Sequence, residues 1–252
     1  MMRSIDDLRQ LLERDRIWSA YALADLDPVY ISATSWHVNE NAAILIYAGF
    51  EPAVLFSIGS KAALGDLLKH IPDGRYTYTI LKNSRNLIDP FLAVEHEEIM
   101  SRMVLDNGSL PKIDSAELKK LNETNLGDVQ NLFGNIPDRP DSFNESQLRD
   151  GIFFGFYEAH ELVSIAGTHV LSKAAGVAAI GNVFTEPQYR NRGLATKASI
   201  GVAQTLREAG IETVVLNVAK NNRPALAIYE KIGFRHHCEY YEGQGELQIE
   251  AF

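Results

Sequence analysis

The segment from Val177 to Gly210 runs from an apolar, β-branched stretch through a turn crowded with Arg190, Arg192 and Gly193 into an amphipathic helical pattern. A strand that leads directly into a helix commits the chain to a sheet with helices packed on it. Leu194, Ala198, Val202 and Leu206 step by four, which gives that helix one buried face. The start of a helix exposes backbone N–H groups with no intrahelical partner, and its dipole makes that end partly positive. An anion satisfies both. Gly193 removes the side chain where a phosphate must approach the backbone, and Ala195 is the next smallest choice. The pattern Arg190-x-x-Gly193-x-Ala195 is therefore a candidate pyrophosphate cradle. Neither G-x-x-x-x-G-K-[ST] nor G-x-G-x-x-G occurs, so the P-loop and dinucleotide fingerprints are excluded.

The chain of 252 residues is long enough for one large domain or two small ones. A net charge of −9 argues against a general nucleic-acid partner. From Pro187 to Lys231, however, there are seven Lys/Arg against three Glu, a local positive field that fits a small polyanion. The single cysteine, Cys238, excludes an internal disulfide framework and a cysteine zinc site, and no metal is expected. His236 and His237 adjoin it, but neighbouring strand residues point to opposite faces and chelate poorly. The opening residues are charged and lack the apolar core of a signal peptide, and no apolar run approaches ~18 residues. The expectation is a soluble cytoplasmic protein with no membrane contact.

Ser4 and Asp7 read as a helix cap, with a second short helix predicted over Ile17–Ala24. Strand-like runs follow at 29–38, 42–49 and 52–59, then a helix from Ser60 to His70 and strands at 75–81 and 97–105. Residues 106–115 are rich in turn formers and read as a linker. The pattern then restarts. A strand is expected at 116–121, helices at 126–136 and 144–150 around a loop at 136–143, and strands at 152–157, 162–171 and 177–185. After the long helix come a strand at 213–219, a helix at 222–232 and a strand at 234–242, with 246–252 closing the chain. Both halves thus share the order helix, helix, three strands, helix, strand, without a sequence repeat. The expected fold class is α/β (α+β), a mixed central sheet flanked by helices. The expected division is an N-terminal domain at 1–110 and a second at 116–252.

A second cluster, Val218, Asn222, Ala225, Tyr229 and Gly233-Phe234, lies at fixed intervals beyond the first. Asn222 and Tyr229 are two helical turns apart, Pro224 suits a first turn, and Gly233 suits a helix end. The two clusters, in this order with a strand between them, resemble the GNAT superfamily of acyl-CoA-dependent N-acyltransferases. The resemblance covers roughly Ala116 to Phe252. The two-domain layout is similar to the glycine N-acyltransferase-like branch, in which a reduced GNAT-like half precedes the catalytic one.

The resemblance implies acetyl-CoA, or a related short acyl-CoA, as donor. Its pyrophosphate would fall to Arg190, Asn191, Arg192, Gly193, Leu194 and Ala195, with a hydroxyl from Thr196. Val183, Phe184 and Thr185 would pair by main chain with the pantetheine arm, an amide-bearing pseudo-strand. Asn222 would bond the cofactor's other side, and Tyr229 would face the sulfur as general acid. A strand N–H near Val183 would stabilise the oxyanion. The general base is open between His169, Glu158 and Glu186, or water. The first half lacks the Arg/Gly cradle at Phe56–Gly65 and is expected to be non-catalytic; Trp18, Tyr21, Tyr30 and Trp36 are candidates for a pocket wall or for core. The acceptor is expected to be a small amine or amino acid. A peptide N-terminus is the first alternative, and a non-catalytic CoA-binding module the second.

Overall fold

The computed structural model describes residues 4–113, 117–134 and 143–249. The chain divides into two compact units. One comprises Met1–Arg102, Val218–Asn222 and His236–Phe252; the other comprises Met103–Asn217 and Arg223–Arg235.

In the first unit, α1 (Ile5–Glu13) and α2 (Ala20–Ala24) precede β1 (Thr34–Val38), β2 (Ala42–Tyr47) and β3 (Ala53–Gly59). Next come α3 (Lys61–Leu68), β4 (Gly74–Leu81) and β5 (Leu92–Leu105), whose last residues pass into the second unit. Ser4 caps α1 by accepting from the Asp7 N–H, as its spacing predicts. The helix expected from Ile17 is confined to Ala20–Ala24, and the strand expected from Val29 starts only at Thr34, after a 3-10 turn at Ile31–Ala33. β1–β2 and β2–β3 pair antiparallel, and β3–β4 parallel. Ala42, Ile44 and Leu55 pack with Leu64, Leu67 and Leu68 of α3. Phe56, on the opposite face of β3, meets the ring of the buried Trp18 at 5.2 Å.

In the second unit, β6 (Lys119–Leu121), α4 (Leu126–Phe133) and α5 (Ser146–Asp150) lead to β7 (Phe153–Glu158), β8 (Glu161–Ser172) and β9 (Val177–Thr185). Then come α6 (Leu194–Glu208), β10 (Thr213–Ala219) and α7 (Arg223–Ile232). Most of the loop expected at 136–143, the residue opening the strand expected at 116–121, and the last of the closing residues lie outside the described residues. Strands run in the order β10-β9-β8-β7-β6. β7–β8 and β8–β9 are antiparallel and β9–β10 parallel, the same senses as in the first unit. The order read from sequence in both halves is therefore accompanied by the same strand pairing.

Leu121, Val129, Leu132, Phe133, Leu148, Phe153 and Phe184 form one core beneath α4 and α5. The opposite face takes α6, where a Cβ on Gly201 would stand 2.7 Å from Leu118 and 3.4 Å from Phe154. Only glycine lets the helix lie that close to the sheet. The final strand, β11 (Phe234–Leu247), runs unbroken through Gly243-Gln244-Gly245, because its ladder with β4 continues from Tyr240 to Leu247. The mixed sheet flanked by helices is the fold class read from sequence.

Candidate active site

The site is built from the second unit, where β9 gives way to α6. β9 pairs with β10 from Val177 to Ile180, and that ladder ends at Ile180↔Leu216. β9 itself continues to Thr185. Beyond Ile180 its β10-facing edge has no ladder partner from β10, which is the opening an added strand-like chain needs. Along this stretch the side chains alternate: Asn182 and Phe184 are buried, while Val183 and Thr185 are half-buried. The Phe184 ring packs edge-on against Phe133 at 6.1 Å. Its side chain therefore belongs to the core, and only its main chain can face the opening. The Thr185 hydroxyl lies 2.8 Å from the Ser164 hydroxyl, and Ser164 also donates to the Phe184 carbonyl.

The turn into α6 is fixed by short-range contacts. Arg190 Nε donates to the Thr185 carbonyl at 3.1 Å. Arg192 pairs with Glu158 at 2.5 Å and lies over the Tyr189 ring. Asn191 and Gly193 are left-handed, at φ of 64° and 74°. Asparagine tolerates that region and glycine is at ease in it. Gly193 is the residue capping α6 and, having no side chain, makes no cap bond to the helix's first N–H groups. Beyond its own chain neighbours, no heavy atom of the described residues lies within 4 Å of where a Cβ on Gly193 would stand. The helix start is uncapped and open, with Leu194 buried behind it and Ala195 and Thr196 half-buried. These are the properties of an anion site. The corresponding helix of the first unit differs: the Ser60 hydroxyl already accepts from the Ala63 N–H of α3.

Tyr229, on α7, packs edge-on against Phe234 at 6.0 Å, and burial pushes its phenol up to about 12. α7 begins at Arg223, so Asn222 precedes the helix expected to include it; its N–H donates to the Ala219 carbonyl, and it groups with the first unit. Gly233, at φ 112°, ends α7 as its position predicts, its N–H donating to Tyr229 and Glu230.

The sequence reading missed the irregularity of the β8–β9 ladder. Between Ile165↔Phe184 and Gly167↔Gly181, β9 carries one residue more than β8, at Asn182-Val183. Between Thr168↔Ile180 and Val170↔Ala179, β8 carries the extra residue, His169. The two bulges offset each other, so the register is shifted by one residue only between them. Asn182 is left-handed at φ 52°. The half-buried His169 lies against Gly181, where a Cβ would come within 2.9 Å of His169 Cβ. The side chain of Gln147 on α5 reaches both bulges: Nε2 donates to the His169 carbonyl at 2.9 Å, and Oε1 accepts from Asn182 Nδ2 at 3.0 Å. The signal for this was present, since Gly181-Asn182 inside a strand pattern marks a bulge.

This arrangement, a mixed sheet flanked by helices whose parallel pair opens beside a helix start, is shared with structures of the GNAT fold. Residues 124–234 match the sequence profile of the Acetyltransferase (GNAT) family. A putative GNAT acetyltransferase from Novosphingobium aromaticivorans is similar in structure, with a TM-score of 0.63 at 19% identity over 90% of this chain and 96% of that one. A GNAT-family acetyltransferase from Colwellia psychrerythraea gives 0.59 at 14% identity over 98% of each chain. At these identities the likeness is one of fold. Among curated proteins the sequence has no match. Among the described residues no cluster of metal-ligating side chains occurs, and no helix is long and apolar enough to cross a membrane.

Proposed function

We propose that the protein transfers an acetyl or short acyl group from acyl-CoA to the primary amine of a small molecule or an amino acid. The observation that carries this reading is the start of α6 at Gly193, where no side chain caps the helix, set beside the edge of β9 past its last pairing with β10. The open, side-chain-free approach at Gly193 fits a pyrophosphate, with Arg190 and Arg192 supplying charge. The β9 edge from Val183 to Thr185 offers main-chain groups to an amide-bearing arm.

In the proposed chemistry the amine nitrogen attacks the thioester carbonyl, the C–N bond forms and the C–S bond breaks. His169 takes the proton lost by the amine. A main-chain N–H near Val183 receives the oxyanion. The Tyr229 phenol stays protonated far beyond neutrality because burial holds it near 12. Passing that proton fully to a thiolate, of ordinary pKa about 8.5, is uphill by roughly 5 kcal/mol. Tyr229 is therefore better suited to hydrogen-bond the departing sulfur than to act as the well-matched acid its ordinary pKa implies.

The first unit is read as a reduced, non-catalytic GNAT-like half, as in the glycine N-acyltransferase-like branch. Two observations support this. Ser60 caps α3, and the Trp18 indole donates at 2.9 Å to the Ser57 carbonyl, just past Phe56↔Thr79, where the β3–β4 ladder ends. The chain's own side chains satisfy the groups that α6 and β9 leave open.

The test is a screen of primary amines and amino acids with acetyl-CoA, reading free thiol. Release above hydrolysis with a small amine supports the reading. Release with peptides alone redirects it to peptide N-termini, and tight binding with no release for any acceptor reduces it to a CoA-binding module.

A further inference from the structure

The two compensating bulges are an unusual way to build a strand pair. Each leaves a residue outside the ladder and bends its strand, and a pair with neither bulge would keep the same overall register. Between them only Gly167↔Gly181 and Thr168↔Ile180 are displaced. The displaced stretch ends where β9 loses β10 as a partner, immediately before Val183.

Gln147 is the side chain that joins the two irregularities. Its Nε2 can only donate and is spent on the carbonyl of His169, the extra residue of β8. Its Oε1 must therefore accept, and it takes both the Asn182 amide and the Asn144 N–H. This fixes the orientation of the Asn182 amide and leaves Asn182 Oδ1 buried with no partner among the described residues. A buried, unsatisfied amide oxygen in a left-handed residue is costly on both counts, and persists only where its surroundings over-determine it. The chain just past α5 is anchored to the displaced stretch: the Ile152 N–H donates to the Thr168 hydroxyl at 3.0 Å, and the Thr168 N–H to the Ile152 carbonyl at 3.0 Å.

We infer that Gln147 is a positioning residue. It locks Asn182 in its bulged, left-handed form, and so aims the main-chain N–H groups at Val183 toward the acyl carbonyl. The inference rests on the function proposed above and adds to it the device that sets the carbonyl site. Without the link, Asn182 can relax toward ordinary extended backbone. The β9 register then slips by one residue, and a slip of one turns alternate N–H groups to the wrong side.

The experiment uses the whole chain saturated with acetyl-CoA carrying 13C at the thioester carbonyl, and reads the carbonyl stretch by infrared difference spectroscopy. Only folded, loaded protein contributes, so a moderate loss of stability does not move the band. The wild type should shift the band to lower frequency than in free acetyl-CoA. Gln147→Ala, which removes the Asn182 and His169 bonds together, should return most of that shift; Gln147→Glu, which keeps an acceptor for Asn182 Nδ2, should return less of it. Affinity for desacetylated CoA should stay within about twofold of wild type, while affinity for acetyl-CoA falls about three- to tenfold, the worth of one hydrogen bond. An unchanged band in Gln147→Ala overturns the inference, as does a wild-type complex with no shift. A wild type that binds neither ligand overturns the functional reading itself, and this inference with it.

Discussion

Replacing Gly193 by aspartate tests the cradle most directly, because its effects on the empty and loaded protein separate. In the empty protein the substitution adds a Cβ that meets no atom of the described residues within 4 Å beyond its chain neighbours. It does force a side chain into φ 74°, a left-handed conformation that costs about 1–2 kcal/mol. A carboxylate at a helix start regains about 0.3–1 kcal/mol from the dipole. The net change is about 1 kcal/mol, a fall in Tm of roughly 2–4 °C for a chain of this size. In the loaded protein the new charge faces a diphosphate. At roughly 5 Å each charge pair is worth about 0.8 kcal/mol at a dielectric of 80 and about 3.3 at 20. Two such pairs give about 1.7–6.6 kcal/mol, so even the lower bound exceeds a tenfold loss of affinity. The assay is thermal unfolding against acetyl-CoA. At a hundred times Kd the wild type gains about 2.7 kcal/mol, roughly 5–10 °C. At the same concentration a hundredfold weaker variant gains about 0.4 kcal/mol, near 1 °C. Pantetheine, which lacks the diphosphate, should stabilise the wild type far less than acetyl-CoA. A Gly193→Asp protein with the full wild-type shift would refute the placement of the diphosphate at α6.

Calorimetric titration should give one acetyl-CoA per chain, since Ser60 and Trp18 fill the comparable positions of the first unit; two equivalents would make that unit a working domain. Tyr229→Phe should leave acetyl-CoA affinity nearly unchanged and lower kcat and kcat/KM together by about 10- to 100-fold, the worth of one hydrogen bond to a developing thiolate. Because the phenol lies near 12, no alkaline limb below about pH 11 should belong to it, and wild-type turnover in the folded variant would remove it from the chemistry. Phe184→Ala removes a core ring and should cost about 3–5 kcal/mol in denaturant unfolding; a loss below 1 kcal/mol would contradict its packing against Phe133. Burial, reinforced by Asp27, raises Asp25 to about 7, so its contribution to stability is greatest below its ordinary pKa near 3.8 and declines as pH rises to about 7. Asp25→Asn should flatten stability between pH 4 and 7 and leave the variant more stable than wild type at pH 8, as read by urea unfolding.

Much of this was legible in the sequence because it depends on contacts between near neighbours. The capped start at Ser4, the turn at Arg190–Gly193, the buried face of α6 and the stop at Gly233 need only a few adjacent residues, and each stands where its spacing places it. The order of elements followed from where apolar periodicity changes. Helix and strand starts near Ile17 and Val29 were misplaced, because turn and 3-10 geometry leave no periodic signature there.

The tertiary structure alone decided what those elements do together. Sequence marked Val183–Thr185 as a strand but not where β10 leaves its side, since that depends on residues more than thirty positions apart. It gave Phe184 a main-chain role only and Asn182 none, yet alternation on β9 sends one ring into the core and the other side chain to Gln147. The phenol of Tyr229 has an ordinary pKa in any sequence; only burial raised it. Long-range register and desolvation arise when distant segments exclude water and one another's alternatives, and no local run of residues carries that information.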